Sequence, residues 1–381
     1  MLLDQFRKFI VLLFSFFLAF GKYDPFGTQG LYLDVVLVIV ILTIGLSTNV
    51  INHIHLFRKQ IILLSGISIV LLICSLIYGQ VYSSYGFFNF KYLSAIIIFW
   101  FLSYYFKIHQ KERYYSLLLF AVASSIIAAF YQLGYFDNVI HFDKGRLIIF
   151  EENPNSFSSR MAIAFLINVY MIVFNPLNLK KVRYVLLFTL PSLFLVIVDA
   201  GSKGSFFALL FGVALMLFLK RTDFVYKVVL IALIGLVGLF LVQDLQDTVL
   251  LERLSEEQGL GEREAIWSNA LSIFSDYPFG VGESGFFLEM GLRYSKPIDA
   301  HNLFIYLLAT GGFISLILFL LFLRTLYFKS YYLLKRKGDV FFLAIFLFII
   351  FLASKTGGVF TYLVMWYLFA IINSIGQRKV V

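Results

Sequence analysis

Charge is scarce in this chain. Of its 381 residues only 14% are charged, where a soluble domain carries roughly a quarter. That excludes an ordinary water-solvated globule and makes lipid the main solvent. Cysteine is scarcer still, because Cys74 stands alone inside an apolar run. An intrachain disulfide is therefore excluded, and no Cys/His cluster has the spacing of a zinc site, so no metal or cofactor is expected. No repeat of fixed period and no low-complexity linker divides the chain, so one integral membrane domain over residues 1–381 is expected. Acids are also few, and the net charge of +9 would suit nucleic acid if the cations shared one surface. They gather instead in short segments between apolar runs, which is a topology signal and argues against a nucleic-acid partner.

What the chain has is apolar surface. Hydrophobic residues make up 61%, mean hydropathy is +0.89, and aromatics reach 19%, chiefly 46 Phe and 23 Tyr. Such rings suit both bundle packing and the headgroup belts of a membrane. A spanning helix needs ~20 mostly apolar residues, or ~17 when short. On that rule spans are expected near 6–21, 31–51, 61–78, 87–106, 115–135, 157–174, 182–199, 204–219, 224–242, 301–323, 339–353 and 358–375. The result is an all-α polytopic membrane protein of about twelve transmembrane helices. Arg7-Lys8, an apolar stretch and Ala19-Phe20-Gly21 imitate a secretory cleavage site, but the first span is expected to stay as an uncleaved helix.

Lys and Arg in the loops set the orientation. With the N-terminus inside, every inside segment carries at least two of them, from Arg7 and Lys8 through Arg58 and Lys59 to Arg378 and Lys379. Acids follow the opposite pattern, with only Asp4, Glu112, Asp223 and Asp339 inside. Both patterns put the two termini in the cytoplasm. The longer outer loops then run from about Phe136 to Ser156 and from about Gln243 to Ala300. In the second, Ile266, Trp267, Ala270, Leu271 and Phe274 share a helical face, so a short amphipathic helix lying on the membrane is expected.

Cations inside need no functional account, but cations on the outer face at membrane depth do. Arg160, Lys203, His301 and Lys355 each fall within about a turn of an expected helix start. Every even-numbered span begins outside, so its positive end and unpaired N–H groups form an anion site there. Span six opens at Asn153-Pro154-Asn155-Ser156, span eight at Gly201-Ser202-Lys203-Gly204-Ser205, span ten at Ala300-His301-Asn302, and span twelve follows Ser354-Lys355-Thr356. Four such ends suit an anionic headgroup of the outer leaflet. For each cation a structural role competes: Lys203 and Lys355 as interface snorkels, Arg160 as the partner of Glu151, Glu152 or Asp199, Arg263 stacked on Trp267, Arg293 and Lys296 as solvated loop charges. His301 is the outer histidine at a span boundary, and imidazole suits a general base. Gly280-Val281-Gly282-Glu283-Ser284-Gly285 fits a dinucleotide fingerprint, but no strand precedes it. A tight turn packing close to other backbone is expected instead.

Several outer segments together resemble the bacterial O-antigen polymerase (Wzy) and O-antigen ligase (WaaL) superfamily. They are Glu152-Asn153-Pro154-Asn155, Gly201-Ser202-Lys203-Gly204-Ser205, Arg263 with Trp267-Ser268-Asn269-Ala270-Leu271, Pro278-Phe279-Gly280-Val281-Gly282, and His301-Asn302-Leu303 with Ala309-Thr310-Gly311-Gly312. They cover roughly 150–325, and the first half matches only as a string of spans. The resemblance implies metal-independent transfer of a glycan from a polyprenyl (undecaprenyl) diphosphate carrier to a sugar hydroxyl, on the outer face of the bacterial cytoplasmic membrane. It makes His301 the base on the acceptor. Arg160, Lys203 and Arg263 stabilise the diphosphate leaving group, and Arg293 completes a subsite. Direct attack inverts the anomeric carbon. The family often has Arg where this chain has Lys203, which keeps the charge and loses the bidentate fork.

Polymerase and ligase differ in acceptor, a carrier-linked repeat unit or the lipopolysaccharide core, and the Ala300–Gly312 stretch favours polymerase. The implied partners are the lipid-linked oligosaccharide and membrane lipid, with a chain-length regulator open as a further one. A secondary transporter predicts two similar halves and broken helices at mid-depth, yet the long outer loop has no counterpart in the first half. A lipid-linked glycan flippase would also need outer cations and stands as the alternative of another class.

Overall fold

The computed structural model describes residues 2–23, 57–78, 91–136, 139–143, 145–219, 250, 258–355 and 362–376. The expected spans at 31–51 and 224–242, and most of the long outer loop before residue 258, lie outside the described residues. Helices dominate what is described: α1 (Leu2–Phe17, extended by a 3-10 turn at Leu18–Phe20), α2 (Arg58–Ile77), α3 (Lys91–Ile108), α4 (Gln110–Gln132), α5 (Pro154–Phe174), α6 (Lys180–Asp199), α7 (Lys203–Leu219), α8 (Gln258–Asp276), α9 (Gly282–Tyr294), α10 (Leu303–Lys337), α11 (Phe341–Ala353) and α12 (Leu363–Asn373). Among the described residues five of them, α2, α4, α5, α6 and α10, are long and apolar enough to cross a membrane, and α3, α7, α11 and α12 are shorter apolar helices. Each coincides in place with an expected span.

Two parts of the loops expected on the outer face were not legible beforehand. The first loop carries a hairpin of β1 (Ile140–Asp143) and β2 (Arg146–Ile149), with Asp143 opposite Arg146. The second holds α9 beside the expected α8. The buried face of α8 is Ile266, Ala270 and Ile273, while Leu271 is exposed. The expected face is therefore turned from Leu271 towards Ile273, because α8 packs on α9. Helix α10 runs past its expected end at 323, since nothing breaks it between there and Gly338, a left-handed glycine at φ +66° of the kind that ends helices.

The chain folds as two compact units. The first comprises Met1–Ile41, His109–Glu256 and Tyr331–Phe348, the second Leu42–Ile108, Glu257–Ser330 and Ile349–Val381. Lipid gives helices no hydrophobic drive to associate, so small residues and interhelical hydrogen bonds hold them together. In the first unit Ser15 and Ser116 meet at 2.5 Å between α1 and α4, and Asn168 of α5 donates to Ser125 at 3.2 Å and Thr189 at 3.0 Å. In the second, Asn373 of α12 donates to Ser103 of α3 at 3.1 Å, beside a buried cluster of Phe99, Phe322, Trp366 and Phe369.

Candidate functional site

In the first unit the starts of α5 and α7 lie together, as their cap residues prepare. Asn153 caps α5 by accepting from the Asn155 N–H at 2.9 Å, with Pro154 in the first turn. Ser202 sits before α7, its hydroxyl 3.4 Å from the Ser205 N–H. The Ser205 hydroxyl meets that of Ser159 at 3.0 Å, and Ser159 donates to the Asn155 carbonyl at 2.6 Å. Arg146 of the hairpin clamps both starts, donating to Asn155 Oδ1 at 2.7 Å and to the Ala200 carbonyl at 3.2 Å. Lys203, half-buried, occupies the first turn of α7.

Arg160 lies one turn further into α5 and is 1% exposed. Its fork is met by both oxygens of Glu152, itself buried, and its Nε donates to the Ala19 carbonyl at 3.1 Å. Gly21, at φ +58°, lies directly against the guanidinium, where a Cβ would collide with it. Of the three acids the sequence offered Arg160, the structure chooses Glu152, held by the turn that leads from β2 to α5. That turn is tight: Phe150 and Glu151 both have positive φ, 57° and 53°.

In the second unit His301 stands just ahead of α10. It adopts φ +50°, a conformation few residues with a Cβ accept, and its backbone N–H donates to Asp299 Oδ1 at 2.7 Å. Asn302 then caps α10, accepting from Phe304 N–H at 3.0 Å and Ile305 N–H at 3.3 Å. Trp267 ties this segment down from α8, donating Nε1–H to the Ala300 carbonyl at 2.9 Å. Lys355 lies over the same indole, 5.4 Å from the ring centroid. Thus one tryptophan joins Lys355 to the backbone at Ala300, the residue before His301. Arg263, half-buried, lies one turn before Trp267 on α8.

Arg293 is engaged within the α8–α9 helix pair. It bonds Asp276 at 2.7 Å, Glu289 at 2.9 Å and Ser272 at 2.8 Å, so it fastens α9 to the end of α8. Burial works against its charge, but the Asp276 and Glu289 carboxylates outweigh that and raise the guanidinium above its ordinary range. Nearby, α10 is interrupted at Gly312 (φ +64°, ψ −169°). The turn at Pro278–Val281 enters the break: Val281 N–H donates to the Ala309 carbonyl at 3.1 Å and Phe313 N–H to the Pro278 carbonyl at 3.2 Å. Gly280, at φ +90°, packs so close that a Cβ would come 2.5 Å from Gly312 N. The expectation of a tight turn against other backbone is borne out here. A buried pair that the sequence did not reveal lies alongside, Tyr306 donating to Glu283 at 2.7 Å.

Residues 184–320 match the family model described as O-antigen ligase. That stretch is similar to the O-antigen ligase family. This bears out the resemblance to the polymerase and ligase superfamily, and the apolar helices are those of a multi-pass membrane protein. Lys203, Arg263, Arg293 and His301 fall inside the matched residues, whereas Arg160 and Lys355 fall outside. No curated protein matches the chain. Within the matched residues Asp299 and Trp267 support the histidine segment. Asp299 was signalled by its place two residues before His301, where an Asx turn forms.

Proposed function

We propose that the protein is an O-antigen or polysaccharide polymerase. It transfers a glycan from a polyprenyl-diphosphate carrier to a sugar hydroxyl of a carrier-linked repeat unit. With the twelve spans and cytoplasmic termini expected from the sequence, this reaction lies on the outer face of the cytoplasmic membrane. The reading is carried by the match at 184–320, which contains His301 in its positive-φ turn. Strained backbone of that kind persists where the surroundings hold it, and it gathers at functional sites.

The chemistry follows from the groups present. The acceptor hydroxyl attacks the anomeric carbon, and its proton passes to the His301 imidazole. The bond to the diphosphate oxygen breaks with its electron pair, so negative charge grows on the leaving group. Fixed cations stabilise such growth without reorganising, the role assigned to Arg263, Lys203, Arg160 and Arg293. For Arg160 the role requires Glu152 to release the guanidinium, which makes Glu152 the informative position. Direct displacement inverts the anomeric centre.

A second reading, O-antigen ligase with lipopolysaccharide core as acceptor, is favoured by the family that residues 184–320 match. One experiment separates them: purified protein, diphosphate-linked oligosaccharide of the host and EDTA, with wild type beside His301→Ala and Arg263→Ala. A ladder of lengthening lipid-linked glycan, lost in both variants, is the expected result. Product only on added core acceptor makes the protein a ligase. No product with either acceptor overturns the transferase reading in favour of a lipid-linked glycan flippase.

A further inference from the structure

The second unit holds a cavity of about 670 Å³ that the transfer reaction does not use. It is lined by Arg58 and Lys59 at the start of α2, Lys107 in the last turn of α3, Lys329 on α10, and the apolar Ile62 and Ile375. About 25 Å of helix separates Lys329 from the break at Gly312, at 1.5 Å per residue. The cavity thus lies far along α10 from His301, and its four cations all come from segments expected on the inner side of the membrane.

Positive residues are ordinary in inner loops, but here they converge. The ammonium groups of Lys107 and Lys329 each lie 5.4 Å from the centroid of one buried ring, Phe57. Lys329 also donates to the Asn373 carbonyl at 2.6 Å and to its side-chain oxygen at 2.5 Å, both neutral acceptors. Among the described residues, no carboxylate forms an ion pair with any of the four cations. Like charges drawn together around a cavity repel and raise its potential, so it concentrates anions. The start of α2 adds its partial positive charge in the same sense.

We propose that this cavity binds a phosphoryl group, with Arg58 and Lys59 at its mouth and Lys107 and Lys329 within. Arg supplies a planar fork for phosphate oxygens and Lys a point charge. Ile62 and Ile375 provide apolar wall for a glyceryl or acyl stem, so the headgroup of an anionic phospholipid and free phosphate share the chemistry this site offers.

The full-length protein, delipidated in detergent, would be titrated with phosphatidylglycerol, with inorganic phosphate and with diacylglycerol. Binding would be read by native mass spectrometry and by thermal protection. Saturable binding of a phosphate-bearing ligand and none of diacylglycerol is expected. Arg58→Gln/Lys59→Gln should weaken it about tenfold, as should Lys107→Gln alone, through lost charge-assisted contacts. Lys180→Gln/Lys181→Gln, which removes two exposed cations elsewhere, should stay within about twofold of wild type. Loss confined to the phosphatidylglycerol arm identifies a lipid as the source, and loss in the inorganic phosphate arm a soluble anion. If neither phosphate ligand outbinds diacylglycerol, or if both double variants weaken binding equally, the site does not exist. The readout is binding, so this outcome is independent of whether glycan transfer is observed.

Discussion

Arg160 shows how much one residue's environment decides. A guanidinium in a spanning helix costs free energy unless it is paired, and Glu152 with the Ala19 carbonyl supplies that pairing. Removing one partner leaves the other charged and buried. Arg160→Gln and Glu152→Gln are therefore each expected to destabilise the protein by about 3–5 kcal/mol, and Arg160→Met/Glu152→Leu to recover most of that loss. Thermal unfolding in detergent measures both, and single variants as stable as wild type would sink the idea. Below the unfolding temperature the same pair tests the proposed donor role, since Glu152→Gln frees the fork while Arg160→Gln deletes it. Transfer should survive the first and weaken in the second. Trp267 is a positioning residue in this scheme. Trp267→Phe keeps a ring for Lys355 but loses the bond to Ala300, so kcat should fall by up to about tenfold with KM unchanged. A pure KM change would place Trp267 against the substrate instead.

At the scale of elements, the telling feature is the broken α10. Gly312 leaves the helix and the Pro278–Val281 turn takes over its hydrogen bonds. Adding a Cβ at Gly280 would bring it 2.5 Å from Gly312 N and Thr310 O, and backbone cannot swing aside as a long side chain can. Gly280→Ala and Gly312→Ala should each lower stability by at least about 1–3 kcal/mol, the cost of the left-handed conformation alone. Protease susceptibility of the Pro278–Val281 turn should rise with the loss, and unchanged cleavage and melting would refute the clasp. The spans themselves were legible because apolar length is a local property, and the caps Asn153, Ser202 and Asn302 are local as well. The break at Gly312 was not legible as a break: a glycine pair in an apolar helix reads as tolerated unless the element that enters it is known. The turned face of α8 escaped for the same reason, since its partner α9 follows a glycine-rich stretch with no strong periodicity.

At the scale of the whole molecule the expected topology is open to a direct test, because Cys74 is the only cysteine. In a Cys74→Ser background, a cysteine at exposed Leu292 should react with an impermeant maleimide on intact cells. One at exposed Lys181 should react only after permeabilisation. The reverse pattern would invert the membrane orientation and with it the side on which glycan transfer is proposed. Composition and periodicity determined the apolar helical segments and the clustering of cations between them, because each depends on residues near one another in sequence. The sequence singled out Arg160, Lys203, Arg263, Arg293, Lys355 and His301 among the groups expected on the outer face. Tertiary structure alone decided what each one meets: Arg160 on Glu152, Arg293 on Asp276 and Glu289, and Lys355 over Trp267. It also drew Lys107 and Lys329 to one ring from positions 222 residues apart. Electrostatic pairing depends on distance in space, and in a helical bundle that distance is set by which helices pack together.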